Sequence, residues 1–350
     1  MKILRSALVP IIAVVLALLV GALLIQLSGS SPREAYSALF EGSYMGWENF
    51  GTTLEKATPL IMGGLAVAFA FKGGLFNIGG QGQLLFGALI AGAAGYGFSG
   101  LPWIIHMPVA LLLGAAAGAA WGAIPGVLKA TRGAHEVITT IMLNFVAANM
   151  AEWLCTKVWR KPGDILVRTP LIEESAEIPT FGNLPLGFLI AVAFAFAMWY
   201  LLQKTTFGFE VRSVGLNPNA ASYAGISTKR IVILTMTISG FLAGIGGSIE
   251  TLGVVGRYEP GFNAGLGFDG ITIALLARTN PIAVIPAAVL IASMDASASL
   301  MQFKAGVAPE ITDVIEALIL LFVATPIIVR WFFKNKQGEE VSFGANWGSS

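Results

Sequence analysis

The sequence holds a single cysteine, Cys155, and two histidines, His106 and His135. It can close no internal disulfide and offers no cluster of residues at metal-ligand spacing. Charge is equally thin. Only 12% of residues are Asp, Glu, Lys or Arg, about half the ~25% usual in soluble domains, too few to cover a water-facing surface. The formal net charge of +1 excludes a broad attraction to nucleic acid. No Gly-rich phosphate loop ending in Lys-Ser or Lys-Thr, no HExxH and no GxSxG elbow occurs, so nothing in the chain reads as an enzyme. What is abundant is apolar surface, at 55% of residues, and glycine, at 42 of 350. That combination fits helices packed closely in lipid. The chain reads as an all-α integral membrane protein, one transmembrane domain over 1–350.

A helix crosses the hydrocarbon core with about 20 mainly apolar residues. Apolar stretches predict about ten spans, near 7–27, 57–71, 78–98, 104–128, 136–155, 186–203, 231–253, 267–279, 281–301 and 311–333. The third, eighth and ninth are interrupted by Gly or Pro. The first follows Lys2 and Arg5 as a signal peptide would, but its apolar run is longer than the roughly 7–15 residues of a signal core. It reads as a retained helix. With both termini cytoplasmic, thirteen of the 21 Lys and Arg residues lie inside and eight outside, the sign that the positive-inside rule requires. Half of the outside set sits in one loop, about 156–185, whose prolines at 162, 170, 179 and 185 predict an ordered external cap. A short tail, 334–350, follows the last span.

The one sizeable cytoplasmic loop, about 204–230, is too short for a nucleotide-binding domain. Within it, Asn217-Pro218 predicts a helix start, since Asn caps amides and Pro suits the first helical position. Gly225 is placed to close one or two turns in a left-handed cap. Either a short helix lying across the membrane or an ordinary connection satisfies this pattern.

Gly114, Gly118, Gly122 and Gly126 recur every four residues, which lines them on one helix face and lets a second backbone approach. A different signal lies at 71–83, FKGGLFNIGGQGQ, where glycines and polar side chains break the apolar pattern. Breaks at membrane depth are tolerated where protein or a water-filled cavity satisfies the backbone, and in transporters they often frame the solute. Asn77, Gln81 and Gln83 would offer neutral donors and acceptors to a hydroxylated or heterocyclic solute. A cytoplasmic hairpin beside Lys72 is the competing reading. A second break, GLGFDGITIALLARTNP at 265–281, lies in the opposite half. With spans two to five and seven to ten running in opposite directions, the pair predicts an inverted repeat with a pathway at its interface. Asp295 is the clearest carboxylate inside a span; a pathway role and a helix–helix hydrogen bond both fit it.

Four separated motifs resemble the permease family of ABC importers for nucleosides and simple sugars. They are FNIGGQGQLLFGA (76–88), GAHEVITTIMLNFVA (133–147), VGLNPNAASYAGI (214–226) and GFDGITIALLARTNP (267–281). The first is similar to the family's FNIGGEGQ, with Gln81 for the more usual Glu, and the second carries His135 where the family has Asn. The resemblance extends over about 55–330.

That resemblance implies a bacterial cytoplasmic-membrane permease that binds no cofactor of its own. ATP and Mg would be bound by a separate cytoplasmic ATPase. An extracytoplasmic binding protein would deliver solute, and a second, related permease would complete a heterodimeric pore. The 214–226 motif would be the helix seated in the ATPase, with Arg212, Asn217, Tyr223 and Gly225 at the contact. Asn77, Gln81, Asn144 and Phe268 are the candidates for the solute path, and the FNIGG form implies purine nucleosides or similar solutes over free monosaccharides. An ion-gradient-driven secondary transporter is the alternative, with Asp295 as its thin support.

Overall fold

The computed structural model describes residues 2–261 and 265–324, with side chains described from residue 10 onward. The expected tail at 334–350 and the end of the tenth expected span lie outside these. Helices carry almost the whole described chain. In order they are α1 (Lys2–Leu27), α2 (Pro32–Tyr44), α3 (Trp47–Lys72), α4 (Gly80–Gly97), α5 (Trp103–Arg132), α6 (Glu136–Lys157), α7 (Leu186–Lys204), α8 (Thr206–Leu216), α9 (Pro218–Tyr223), α10 (Thr228–Glu250), α11 (Leu266–Leu276), α12 (Pro281–Ala305) and α13 (Glu310–Ala324).

Each of the ten expected spans falls on a helix, yet only seven helices among the described residues are long and apolar enough to cross a membrane: α1, α3, α5, α6, α7, α10 and α12. The expected count of ten is corrected on that ground. The shortfall has a physical cause in two of the three others. α4 spends its first turn on Gly-Gln-Gly-Gln, and α11 has 11 residues, a length of about 16 Å against a core of about 30 Å. The second expected span also starts ten residues early, at Trp47, and Pro59 is accommodated inside the helix. α2, a short helix capped by Ser31 with Pro32 at its first position, was not expected at all. Pro125 likewise sits within continuous α5.

α3 is the central element. Leu60, Ile61, Met62, Leu65, Ala66 and Phe69 are all buried, as befits a helix apolar on every side. α1 by contrast turns Ile11, Val15, Leu19 and Leu23 outward. The glycine row of α5 packs against α10, where Gly240 and Gly244 repeat the spacing. A methyl group on Gly122 would stand 2.6 Å from the Met236 carbonyl oxygen and 3.0 Å from the Gly240 Cα. The packing exchanges partners between two halves: α10 lies on α4 and α5, α3 lies on α11 and α12, α6 packs on α4 and α13 on α11.

The 158–185 segment is ordered, with a 3₁₀ turn at Glu174–Ala176 and a minimal hairpin pairing Thr180–Phe181 with Leu184–Pro185. Backbone bonds tie it down, from Ile172 N–H to Gly256 O (2.9 Å), Glu173 N–H to Gly95 O (2.9 Å) and Ile178 N–H to Leu252 O (3.0 Å).

Candidate functional site

α3 stops because Gly73 and Gly74 follow it. Gly74 adopts φ 71°, where a side chain is strained, and Gly73 N–H and Leu75 N–H both bond the Ala70 carbonyl at 3.0 Å. Residues 75–79 are irregular, and α4 then starts with amides that need acceptors. Side chains supply them. Asn77 Oδ1 accepts from Gly79 N–H (2.9 Å), and Asn144 Oδ1, arriving from α6, accepts from Gly82 N–H (2.9 Å). Asn144 Nδ2 donates in turn to the Ile78 carbonyl (2.9 Å).

The same break is stitched to the other half of the molecule. Asn77 Nδ2 donates to Gln83 Oε1 (2.9 Å) and to Ser239 Oγ of α10 (2.8 Å), while the Ser239 hydroxyl donates to the Ala66 carbonyl of α3 (2.7 Å). Gln81 Oε1 accepts from Gly267 N–H at the start of α11 (2.8 Å). Glycines allow this approach, since a methyl group on Gly267 would collide with the Gln81 backbone. The N-termini of the two interrupted helices therefore meet, joined by one glutamine.

Of the four residues expected on a solute path, Asn77, Gln81 and Asn144 converge around the α4 N-terminus and are buried, while Phe268 stands 44% exposed at the α11 N-terminus. Gln81 holds its contact to Gly267 through an Oε1 acceptor, an atom that a Glu at this position would also present. Gln83 completes the cluster. Ser239 was missed from the sequence, where it is one serine in an apolar helix with no local signal. Trp121 was missed too. Its ring stacks on Phe86 with centroids 4.1 Å apart, and its Nε1 is buried without a hydrogen-bond partner among the described residues. Nearby, the Lys129 ammonium donates to Glu136 (2.6 Å) at the base of α6. Asp295 is approached by Lys56, whose Nζ lies 3.5 Å from the Asp295 carbonyl oxygen.

The second group of expected residues lies on an arm built from α8 and α9. Thr205 caps α8 through Gly208 N–H (3.0 Å). Asn217 caps α9 through Ala220 N–H (3.0 Å), with Pro218 in the first helical position as the sequence predicts. Gly225 takes φ 83° just beyond α9. Val211 and Val214 point inward, whereas Phe209, Leu216 and Tyr223 are exposed, Tyr223 to 94%. Arg212 is turned back onto the body, donating from Nη1 to Gln203 Oε1 of α7 (2.9 Å).

A family model described as "Branched-chain amino acid transport system / permease component" matches residues 49–324. The chain is 42% identical over 340 residues to the guanosine ABC transporter permease protein NupP of Bacillus subtilis (strain 168), covering 94% of this chain and 96% of that protein. It is 36% identical over 340 residues to the nucleoside ABC transporter permease protein NupB of Lactococcus lactis subsp. cremoris (strain MG1363), covering 93% of each. It is 33% identical over 329 residues to the glucose ABC transporter permease protein TsgB13 of Haloferax volcanii, covering 90% of this chain and 86% of that protein.

Proposed function

The chain belongs to the branched-chain amino acid transport system / permease component family, as a multi-pass, non-catalytic transport subunit of an ABC importer, and on that basis we propose that its solute is a nucleoside, guanosine in the first instance. The similarity to two nucleoside permeases over nearly the full length supports that class. A simple sugar is the second reading, favoured by the likeness to the Haloferax glucose permease.

The observation that carries the mechanism is the bare face of the α8–α9 arm. Leu216 at 86% and Tyr223 at 94% exposure are apolar and amphipathic groups held out on capped helices, which suits a groove on a cytoplasmic ATPase that binds ATP and Mg. Arg212, Asn217, Tyr223 and Gly225 belong to this arm, Asn217 and Gly225 by setting its shape and Tyr223 by contact. Both termini are then cytoplasmic and the 158–185 cap faces the binding protein. A second, related permease completes a heterodimeric pore. The exchanged packing partners of α3–α6 and α10–α13 support an inverted repeat, with the solute passing beside the joined N-termini of α4 and α11. There Asn77, Gln81 and Asn144 hold the frame and Phe268 faces the path. Alternating access follows by rigid-body movement of one half against the other. An ion-gradient carrier would have no use for the exposed arm.

The test is uptake of radiolabelled guanosine by proteoliposomes holding this chain, its partner permease, the ATPase and the binding protein. The expected result is uptake that needs internal MgATP and is lost in Gly225→Trp while the complex is still present. Uptake that follows an imposed proton or sodium gradient without ATP would refute the importer reading.

A further inference from the structure

The face of α8 opposite its exposed side is closed against the body at two points, both made of backbone. Near its start, a methyl group on Gly208 would lie 2.7 Å from the Leu202 Cα of α7. Near its end, a methyl group on Gly215 would collide with the Lys72 carbonyl oxygen and lie 2.9 Å from the Gly74 amide nitrogen, while one on Gly74 would lie 2.9 Å from the Gly215 Cα. Val211 and Val214, buried between these points, complete the seam. The end of α8 thus rests directly on the two glycines that terminate α3, with no side chain between them to yield.

The connection from Gly74 to α4 is short and stiff. Leu75 is buried with Ala70 and Met236, the Phe76 ring lies 4.7 Å from that of Phe71, and Asn77 is held by Gly79, Gln83 and Ser239. A displacement applied at Gly74 crosses only Leu75 and Phe76 before it reaches Asn77, the side chain that organises the α4 N-terminus. On the far side, α8 is continuous with the α9 turn through the Asn217 cap, Asn217 N–H bonding Ser213 O (3.1 Å) and Ala221 N–H bonding Asn217 O (3.0 Å).

We propose that Gly215 and Gly74 are positioning residues that form a backbone joint, through which movement of the exposed α8–α9 arm is passed to the break between α3 and α4. The joint rests on the importer reading above, which makes the arm the part that an ATPase moves. It goes beyond that reading by naming where the movement enters the membrane domain. Packed backbones suit this task because they shift between discrete arrangements and cannot deform continuously.

Two measurements test the joint. In the first, Gly215→Ala, Gly74→Ala and the double variant are assembled with the partner subunits, and ATP hydrolysis and guanosine uptake are measured on the same proteoliposomes. The expected result is ATPase activity near wild type with guanosine moved per ATP down about tenfold in each single variant. The double variant should be no worse than the poorer single one, since both act on one contact. Uptake per ATP at the wild-type ratio in either variant overturns the proposal.

The second measurement uses the unmodified complex and so does not depend on the variants folding. Amide hydrogen exchange is followed by mass spectrometry with and without trapping by ATP and vanadate. Protection should change in 206–216 and in 73–79 together. A response in 206–216 with none in 73–79 overturns the joint and leaves the importer reading standing. A complex whose wild-type form shows no ATP-dependent uptake and no response in either segment overturns both.

Discussion

Replacing Asn144 with alanine removes two hydrogen bonds at once, from Gly82 N–H to Oδ1 and from Nδ2 to the Ile78 carbonyl, both 2.9 Å long. Gly82 is buried, so its N–H is left without water or protein to accept it, a penalty of about 1–3 kcal/mol. Ile78 is only partly buried, and water can relieve its carbonyl for about 1 kcal/mol. The sum is about 2–4 kcal/mol against the local fold of the break, and 2 kcal/mol corresponds to roughly 30-fold in an opening equilibrium. The assay is hydrogen exchange of peptides covering 78–83 in the purified complex in lipid nanodiscs. Asn144→Ala should exchange there at least about 30-fold faster, while Phe145→Ala, one residue away and 64% exposed, should not. Unchanged protection at 78–83 with a raised KM for guanosine would refute the reasoning and make Asn144 a ligand of the cargo.

Gln81→Glu keeps an Oε1 acceptor for Gly267 N–H and should lower the thermal stability of the complex less than Gln81→Leu, which leaves that amide unpaired and should lose about 1–3 kcal/mol in the same melt. Gly118→Ala, whose methyl group would lie 2.6 Å from the Gly244 Cα, should destabilise the α5–α10 crossing by about 1–3 kcal/mol. The matched control is Gly97→Ala, which meets nothing within 4 Å. The external cap should respond to acid in one direction. The Arg168 side-chain hydrogen bond, with the Leu166 amide adding to it, holds the Asp164 carboxyl below its ordinary range. The ion pair therefore contributes its full stability above the unfolded value near pH 4, and loses it as pH falls further through the depressed folded value. Exchange of 160–170 should be protected at neutral pH and released below about pH 4, whereas Asp164→Asn should remove that step.

Much of the site was legible because it was written in residues with restricted roles. Glycines at 73, 74, 79, 80 and 82 broke an apolar pattern, and the break is where the structure has one. Asn217-Pro218 marked the start of α9 for reasons local to four residues. The polar side chains of the break were legible as belonging together only in part. Asn77, Gln81 and Gln83 are neighbours in the chain, but Asn144 is 62 residues from the amide it caps and Ser239 is 162 residues from Asn77. No spacing rule connects such pairs. The count of spans failed for a related reason: hydropathy measures how apolar a segment is, and α4 and α11 are shorter or more polar than a crossing helix because each begins at an interruption that the other covers.

Composition and periodicity by themselves determined the membrane class, the helical content, the places where the apolar pattern breaks, the start of α9 at Asn217-Pro218 and the existence of a close glycine contact on α5. Those properties depend on side-chain volume, backbone freedom and transfer energy, all local to a segment. Tertiary structure alone decided that the α5 row faces Gly240 and Gly244, that Gln81 bridges to Gly267, and that Gly215 sits on Gly74. Each of these is a meeting of two surfaces, and which surfaces meet is set by how the helices close-pack, which no single segment contains.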